Sequence, residues 1–201
     1  PIIASTAGAR LEDIDKVVSF FEHRGKTFAL MHCVAEYPTQ DGNLELNQID
    51  LFKSRYPQTV IGYSTHEDPN NFDAVKIAAA KGVSLFERHV GVEADKYSLN
   101  AYSSTPEQIK KWLAAAEEAF EMCGIKDKRI EFTKEETASL RALGRGAFAK
   151  RPIKEGQRIT LSDVFLAIPT LSDQIIAGDF SKYTEFYCKS DINTNQPILL
   201  S

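Results

Sequence analysis

Thr59-Val60-Ile61-Gly62-Tyr63 runs without a break into Ser64-Thr65-His66-Glu67. The first five residues form an apolar, β-branched run with no polar face, as a strand buried on both sides requires. Polarity arrives only at its carboxyl end. Residues 1–5, 27–33 and 83–90 repeat the pattern, and helical periodicity fills the gaps between the runs. Leu11, Ile14, Val17, Val18 and Phe21 recur at helical spacing, with Gly25 as the stop. Leu44, Leu46, Ile49, Leu51 and Phe52 predict a shorter helix before Pro57, and Phe72, Val75, Ile77 and residues 78–80 a third, ended by Gly82. Thr105-Pro106-Glu107 is an N-cap with proline in the first helical position, opening a helix through Ile109, Trp112, Leu113, Ala116 and Phe120.

Strand starts thus recur about every 24 to 32 residues, the period of a βα unit, and the sheet is expected to be parallel. A doubly wound sheet and part of a barrel both fit. No GxGxxG follows a strand, which counts against a dinucleotide site. Residues 124–129 form a polar break, and Thr133, Glu135 and Glu136 open a capped helix to residue 143. Beyond it, Phe148-Ala149, Ile153, Ile159, Ile168, Phe186-Tyr187 and residues 198–200 predict short strands, with brief helical turns at Ser162-Asp163 and Ser172-Asp173. The expected division is 1–123, a linker and helix over 124–143, and a small β-rich domain over 144–201.

Composition narrows the function. The 201 residues are 43% hydrophobic and 26% charged, with net charge −4 and no basic run. Nucleic acid is therefore not an expected partner, and no apolar run is long enough to span a bilayer. Three cysteines, Cys33, Cys123 and Cys188, lack a CxxC pair. They suggest buried thiols in a reducing, cytoplasmic setting. The start at Pro1-Ile2-Ile3, a strand already under way, suggests a fragment.

In parallel βα architectures ligands bind at the carboxyl ends of the strands. Those ends read Ser5-Thr6, Cys33 to Pro38, Ser64 to Glu67, and Glu87-Arg88-His89. Alternation puts Glu87 and His89 on one face with Arg88 on the other, and Ser64 shares a face with His66. Two imidazoles from adjacent strand ends could hold a first-row divalent metal, with water, substrate or another strand completing the shell. The structural alternative is a buried His89 bonded to Glu87 and a solvated His66. His32 reads as a satisfied core histidine and His23 as a surface one. Ser5-Thr6 with Gly8 could offer donors to a phosphate, or simply cap a helix. Glu36 is either a base or a loop acid.

Four ordered motifs then resemble the sialic acid synthase family: residues 1–6, Leu30-Met31-His32-Cys33 with Glu36-Tyr37-Pro38-Thr39, Ile61 to His66, and Phe86-Glu87-Arg88-His89. Arg145-Gly146, residues 150–156, Thr160 and Asp163-Val164 are similar to that family's C-terminal antifreeze-like (SAF) domain. The resemblance implies a (β/α)8 TIM barrel, of which this chain holds about the last four units, followed by the SAF domain. It implies a transferase joining C3 of phosphoenolpyruvate to the aldehyde carbon of an N-acetylmannosamine-like sugar, yielding a nonulosonate and phosphate. It further implies Mn2+ or Mg2+ on His66 and His89, Glu87 at the sugar, and Ser5, Thr6, Glu36, Tyr37 and Ser64 around the substrates. A homodimer in which the SAF domain caps the partner's barrel follows from the same likeness. So does placement of the phosphoenolpyruvate-clamping lysines upstream of Pro1, leaving the fragment alone inactive.

Three departures stand out. Ala35 occupies a position that is usually Asn or Ser, Leu99 one that is usually Asp, and Ala167-Ile168-Pro169 the place of a Lys-Arg-Pro stretch. They imply a relative of N-acetylmannosamine as acceptor, for surface or spore-coat polysaccharide. Two rival readings stay open: another metal-dependent aldolase-type barrel enzyme, and a catalytically silent carbohydrate-binding or assembly protein.

Overall fold

The structure, a computed structural model, describes residues 1–181 and 183–200. The chain divides into two compact units, Pro1–Asp127 and Lys128–Ser201.

The first unit carries β1 (Ile2–Ser5), α1 (Leu11–His23), β2 (Phe28–His32), α2 (Asn47–Arg55), β3 (Val60–Thr65), α3 (Asp73–Ala80), β4 (Phe86–Arg88) and α4 (Pro106–Cys123). The strands are all parallel in the order β1-β2-β3-β4. Every crossover steps to the next strand in the same direction. A doubly wound sheet would reverse that order, so this is barrel winding, and the sheet is a half-barrel.

The pleat sorts the side chains. Leu30, Ile61 and Tyr63 point to the helices, where they pack with Ile14, Val18, Ile49, Phe52, Ala74 and Ala78. Burying a side chain such as Ile49, fully inaccessible, contributes about 1.5–3 kcal/mol. Trp112 and Ala116 of α4 join Val75 and Phe86 in a second cluster. The opposite face carries Met31 against Gly62, then Ser64 beside Glu87. A Cβ on Gly62 would lie 2.3 Å from Met31 Sδ and 2.7 Å from the Leu85 carbonyl oxygen, so only glycine fits there.

Helix α4 begins where its cap predicts. Thr105 accepts from Gln108 N at 3.2 Å, and the Gln108 side chain reaches back to Thr105 N at 2.9 Å, a reciprocal capping box. Two boundaries differ from expectation. Leu44 and Leu46 precede α2, because a 3-10 turn at Asp41–Asn43 takes up the chain first. The fourth strand is only three residues long. Val83 N is bonded to Ala78 O, which ties Val83 to the end of α3, and Val90 makes a single bridge to Ser104.

The second unit holds α5 (Lys134–Ala142), β5 (Gly146–Ala149), β6 (Arg158–Ile159), β7 (Val164–Ala167) and β8 (Phe186–Tyr187). Two antiparallel pairs, β5–β7 and β6–β8, enclose Ala147, Ile153, Ile175, Cys188 and Ile198. Buried Gln174 accepts from Leu171 N and donates to Ala147 O, both at 2.8 Å, in space that Gly146 leaves by lacking a Cβ. Expected strands at Ile153 and 198–200 are single bridges instead, to Ile192 and from Leu199 to Gln174. Ile168 lies just past β7, and Ser172-Asp173 is a plain turn. Helix α5, read from sequence as part of a linker, clusters with this unit. Cys33 and Cys188 are buried but Cys123 is exposed, because it ends α4 on the helix surface.

Candidate functional site

Strands β3 and β4 pair Ser64 with Glu87 and Thr65 with Arg88, so the next step along each brings His66 beside His89. Their ring centroids lie 5.2 Å apart at an interplanar angle of 54°. His66 is buried, contrary to the solvated alternative, and His89 is exposed rather than buried. Glu87 takes its bond from Ser64 Oγ at 3.1 Å, not from His89.

His66 is held in one tautomer. Its Nδ1 is 3.2 Å from the Val34 carbonyl oxygen, which can only accept, so Nδ1 carries the proton and Nε2 keeps its lone pair. Cys33 Sγ lies 3.9 Å from the same nitrogen. Burial pushes the imidazole below its ordinary pKa, and the neighbouring His89 adds to the effect. A neutral ring with a free Nε2 is the ligating form, oriented by a backbone carbonyl as metal-bound histidines are. The donor set therefore fits a divalent ion. Among the described residues no cluster of three or more His, Cys, Asp or Glu converges. Protein would supply two ligands, leaving positions for water and substrate.

Around the pair stands an aromatic wall. The Tyr37 ring is 4.3 Å from that of His66, and the Tyr102 ring is 5.1 Å from Tyr37 and 5.1 Å from His89. Two residues after Tyr37, Thr39 N donates to His66 O at 3.0 Å, tying this loop to the end of β3. Sequence reasoning did not select Tyr102. The signal available was an aromatic just before Ser104, whose backbone N–H bonds His89 O at 2.9 Å and draws the loop over the strand end.

Glu36 behaves as a loop acid, accepting from Gln40 N at 3.2 Å and from Asn43 Nδ2 at 3.1 Å. Thr6 is buried and donates to Met31 O at 2.9 Å. Ser5 is exposed, its Oγ accepting from Ala7 N at 3.3 Å. It pairs with Met31, one pleat repeat nearer the strand start than the Ser64 level. The structure thus brings Ser64, His66, Glu87, His89, Tyr37 and Tyr102 together, with Ser5 below them and Glu36 engaged in its own loop. His32, bonded through Nε2 to Leu44 O at 2.8 Å, is the core histidine expected, and His23 is exposed, bonded to Ser19.

Behind the site, Arg88 meets Glu67 at 2.6 Å with side chains 1% and 0% exposed. Burial pushes the Glu67 carboxyl up and the guanidinium pulls it back.

A sequence profile of the NeuB family matches residues 1–128. The chain belongs to the NeuB family. Its likeness to individual members is broad. It is 26% identical to the N-acetylneuraminate-9-phosphate synthase of Drosophila melanogaster, over 99% of this chain and 59% of that protein. A solved structure from Chromobacterium violaceum, named for spore coat polysaccharide biosynthesis protein E, is 47% identical with TM-score 0.88, over 99% of this chain and 59% of that one. The N-acetylneuraminic acid synthetase of Leptospira borgpetersenii, solved with citrate, is 26% identical with TM-score 0.61, over 69% and 48% of the two chains. The NeuB-family sequence here thus spans about 59% of the length of the first two. No described helix is long and apolar enough to cross a membrane.

Proposed function

We propose that the protein is a synthase condensing phosphoenolpyruvate with an N-acetylmannosamine-like sugar aldehyde, for surface or spore-coat polysaccharide. The observation that carries this reading is the pairing of His66 and His89, 5.2 Å between ring centres, beside a Ser64-held Glu87. Kinship with N-acetylneuraminate-9-phosphate synthase, and with a protein named for spore coat polysaccharide biosynthesis, supports the substrate class.

In this reading His66 and His89 would hold one Mn2+ or Mg2+, which would supply Lewis-acid polarisation of the acceptor aldehyde. Glu87 receives the sugar hydroxyls, with Ser64 fixing its carboxylate. Tyr37 and Tyr102 stack on the sugar and exclude water from one side. Ser5 lies toward the phosphoenolpyruvate phosphate. C3 of phosphoenolpyruvate bonds to the aldehyde carbon as the C2=C3 and aldehyde C=O π bonds open. Water adds at C2 while a proton passes to the new alkoxide, and the C2–O bond to phosphate breaks to leave the C2 ketone and inorganic phosphate. We place the reaction in the cytoplasm, in a homodimer whose SAF-like units would cap the partner barrels. The altered positions Ala35, Leu99 and Ala167-Ile168-Pro169 favour an acceptor related to N-acetylmannosamine rather than that sugar.

The test mixes full-length protein, phosphoenolpyruvate and Mn2+ with a panel of amino-sugar aldehydes and measures phosphate. Release should depend on one acceptor, stop with EDTA, and be abolished by His66→Ala or His89→Ala. Release that ignores both histidines, or none with any acceptor, rejects the proposal. Clear preference for N-acetylmannosamine rejects the acceptor assignment alone.

A further inference from the structure

We propose that Glu67 and Arg88 are positioning residues that set the separation of His66 and His89, and with it the grip on metal. The inference rests on the reading that the two imidazoles share one divalent ion. Each member of the ion pair is the chain neighbour of one imidazole: Glu67 follows His66 and Arg88 precedes His89. Arg88 points away from the site by strand alternation, toward α4, where its guanidinium carbon lies 5.9 Å from the Trp112 ring centre. It thus lies on the face opposite the two imidazoles.

The Arg88 fork ties three segments together. Nη1 donates to Glu67 Oε1 at 2.6 Å and Nη2 to Glu67 O at 3.0 Å, joining β4 to the residue just past His66. Nε donates to Ser104 Oγ at 2.6 Å, and Ser104 N in turn donates to His89 O at 2.9 Å. Tyr63 OH reaches Glu67 Oε2 at 3.4 Å and closes the network from β3. β4 has only three ladder residues, so its register needs this outside support. A slip by one residue would turn His89 to the helix side.

Stability does not account for the pair. Two charges buried this completely give up their hydration, and apolar replacements of similar volume are often neutral or stabilising. What the pair adds is a single geometry at the strand ends, which a packed apolar pair would not specify.

Co2+ serves as the probe, in full-length protein, read by its d–d absorption. Wild type should titrate to about one equivalent, and His66→Ala should lose the band. The double variant Glu67→Leu/Arg88→Met should melt cooperatively at or above the wild-type temperature, yet bind Co2+ at least about tenfold more weakly with a shifted band. Wild-type affinity and spectrum in that folded variant would overturn the positioning role alone. If the double variant does not fold, Arg88→Lys decides, since it keeps the charge but not the fork. Weakened binding is expected, and unchanged binding overturns the proposal. No Co2+ binding by wild type, or undiminished binding by His66→Ala, would overturn the shared-ion reading and the positioning role with it.

Discussion

Ser64 donates from Oγ to Glu87 Oε1 at 3.1 Å, across the pair that joins β3 to β4. The bond turns the Glu87 carboxylate onto the face shared by His66 and His89. The serine is buried while the glutamate is exposed, so the fixed partner orients the free one.

Glu87→Gln should therefore lower kcat for the proposed condensation by about a hundredfold, the scale of losing one preorganised polar contact to a reacting substrate. Thermal stability and Co2+ binding should stay at wild-type levels. Ser64→Ala should show a smaller loss in the same direction. Steady-state phosphate release and a melting curve on each variant check this. Wild-type kcat in Glu87→Gln would remove the residue from the site.

A second expectation concerns the floor below that contact. Gly62→Ala places a methyl group 2.3 Å from Met31 Sδ and 2.7 Å from Leu85 O. The methionine can move but the backbone oxygen cannot without shifting β4. Destabilisation of about 1–3 kcal/mol is expected, as for overpacking elsewhere. Adding Met31→Ala should recover only part of it. Denaturant unfolding of the single and double variants measures both quantities.

Much of this was legible in the sequence, for particular reasons. Ile61 to Tyr63 read as a two-sided strand because no polar residue interrupts it, and the same continuity ends abruptly at Ser64 and His66. Strand-end logic and alternation offered the pairing of His66 with His89 as one of two readings, and the family resemblance favoured it. Tyr102 was not legible, because residues 91–104 carry no periodicity and their path depends on long-range bonds that join Ser104 to His89, Gly91 and Arg88. Nor was the Glu67–Arg88 pair. Alternation placed Arg88 on the far face correctly, but nothing local says that a carboxylate from the neighbouring strand end meets it there. The length of β4 failed for a related reason: Val83 reads as strand by type, while its amide is taken by the end of α3.

The core histidine should make stability depend on pH. His32 is buried, bonded through Nε2 to Leu44 O, and stacked 6.1 Å from Tyr63. Burial depresses its imidazole below the ordinary 6.5, outweighing the Leu44 bond and the Glu45 charge. The unfolded chain thus takes up the proton more readily than the folded one. Its contribution is complete above about 6.5 and is lost as pH falls below that value toward the lowered folded one. Denaturation midpoints should decline over this window, and His32→Gln should flatten the decline even though it lowers the plateau. His66, lowered in the same sense, should contribute to the slope that remains. An unchanged slope in His32→Gln would assign the whole effect elsewhere.

Tyr102 should distinguish the two proposed substrates. Its ring abuts Tyr37 and His89 at 5.1 Å each and His66 at 6.0 Å, bordering the side of the imidazole pair on which the proposed acceptor would lie, whereas Ser5 and Met31 lie a layer below. An aromatic face of this kind contributes about 0.5–1.5 kcal/mol beyond simple burial. Tyr102→Ala should raise the KM for the sugar about threefold to tenfold while the KM for phosphoenolpyruvate stays within about twofold of wild type. Tyr102→Phe, which keeps the ring, should fall near wild type for both. Equal rises in both KM values would mean that the ring closes the whole site rather than one side of it, and no rise in either would place the sugar away from the loop of residues 91–104.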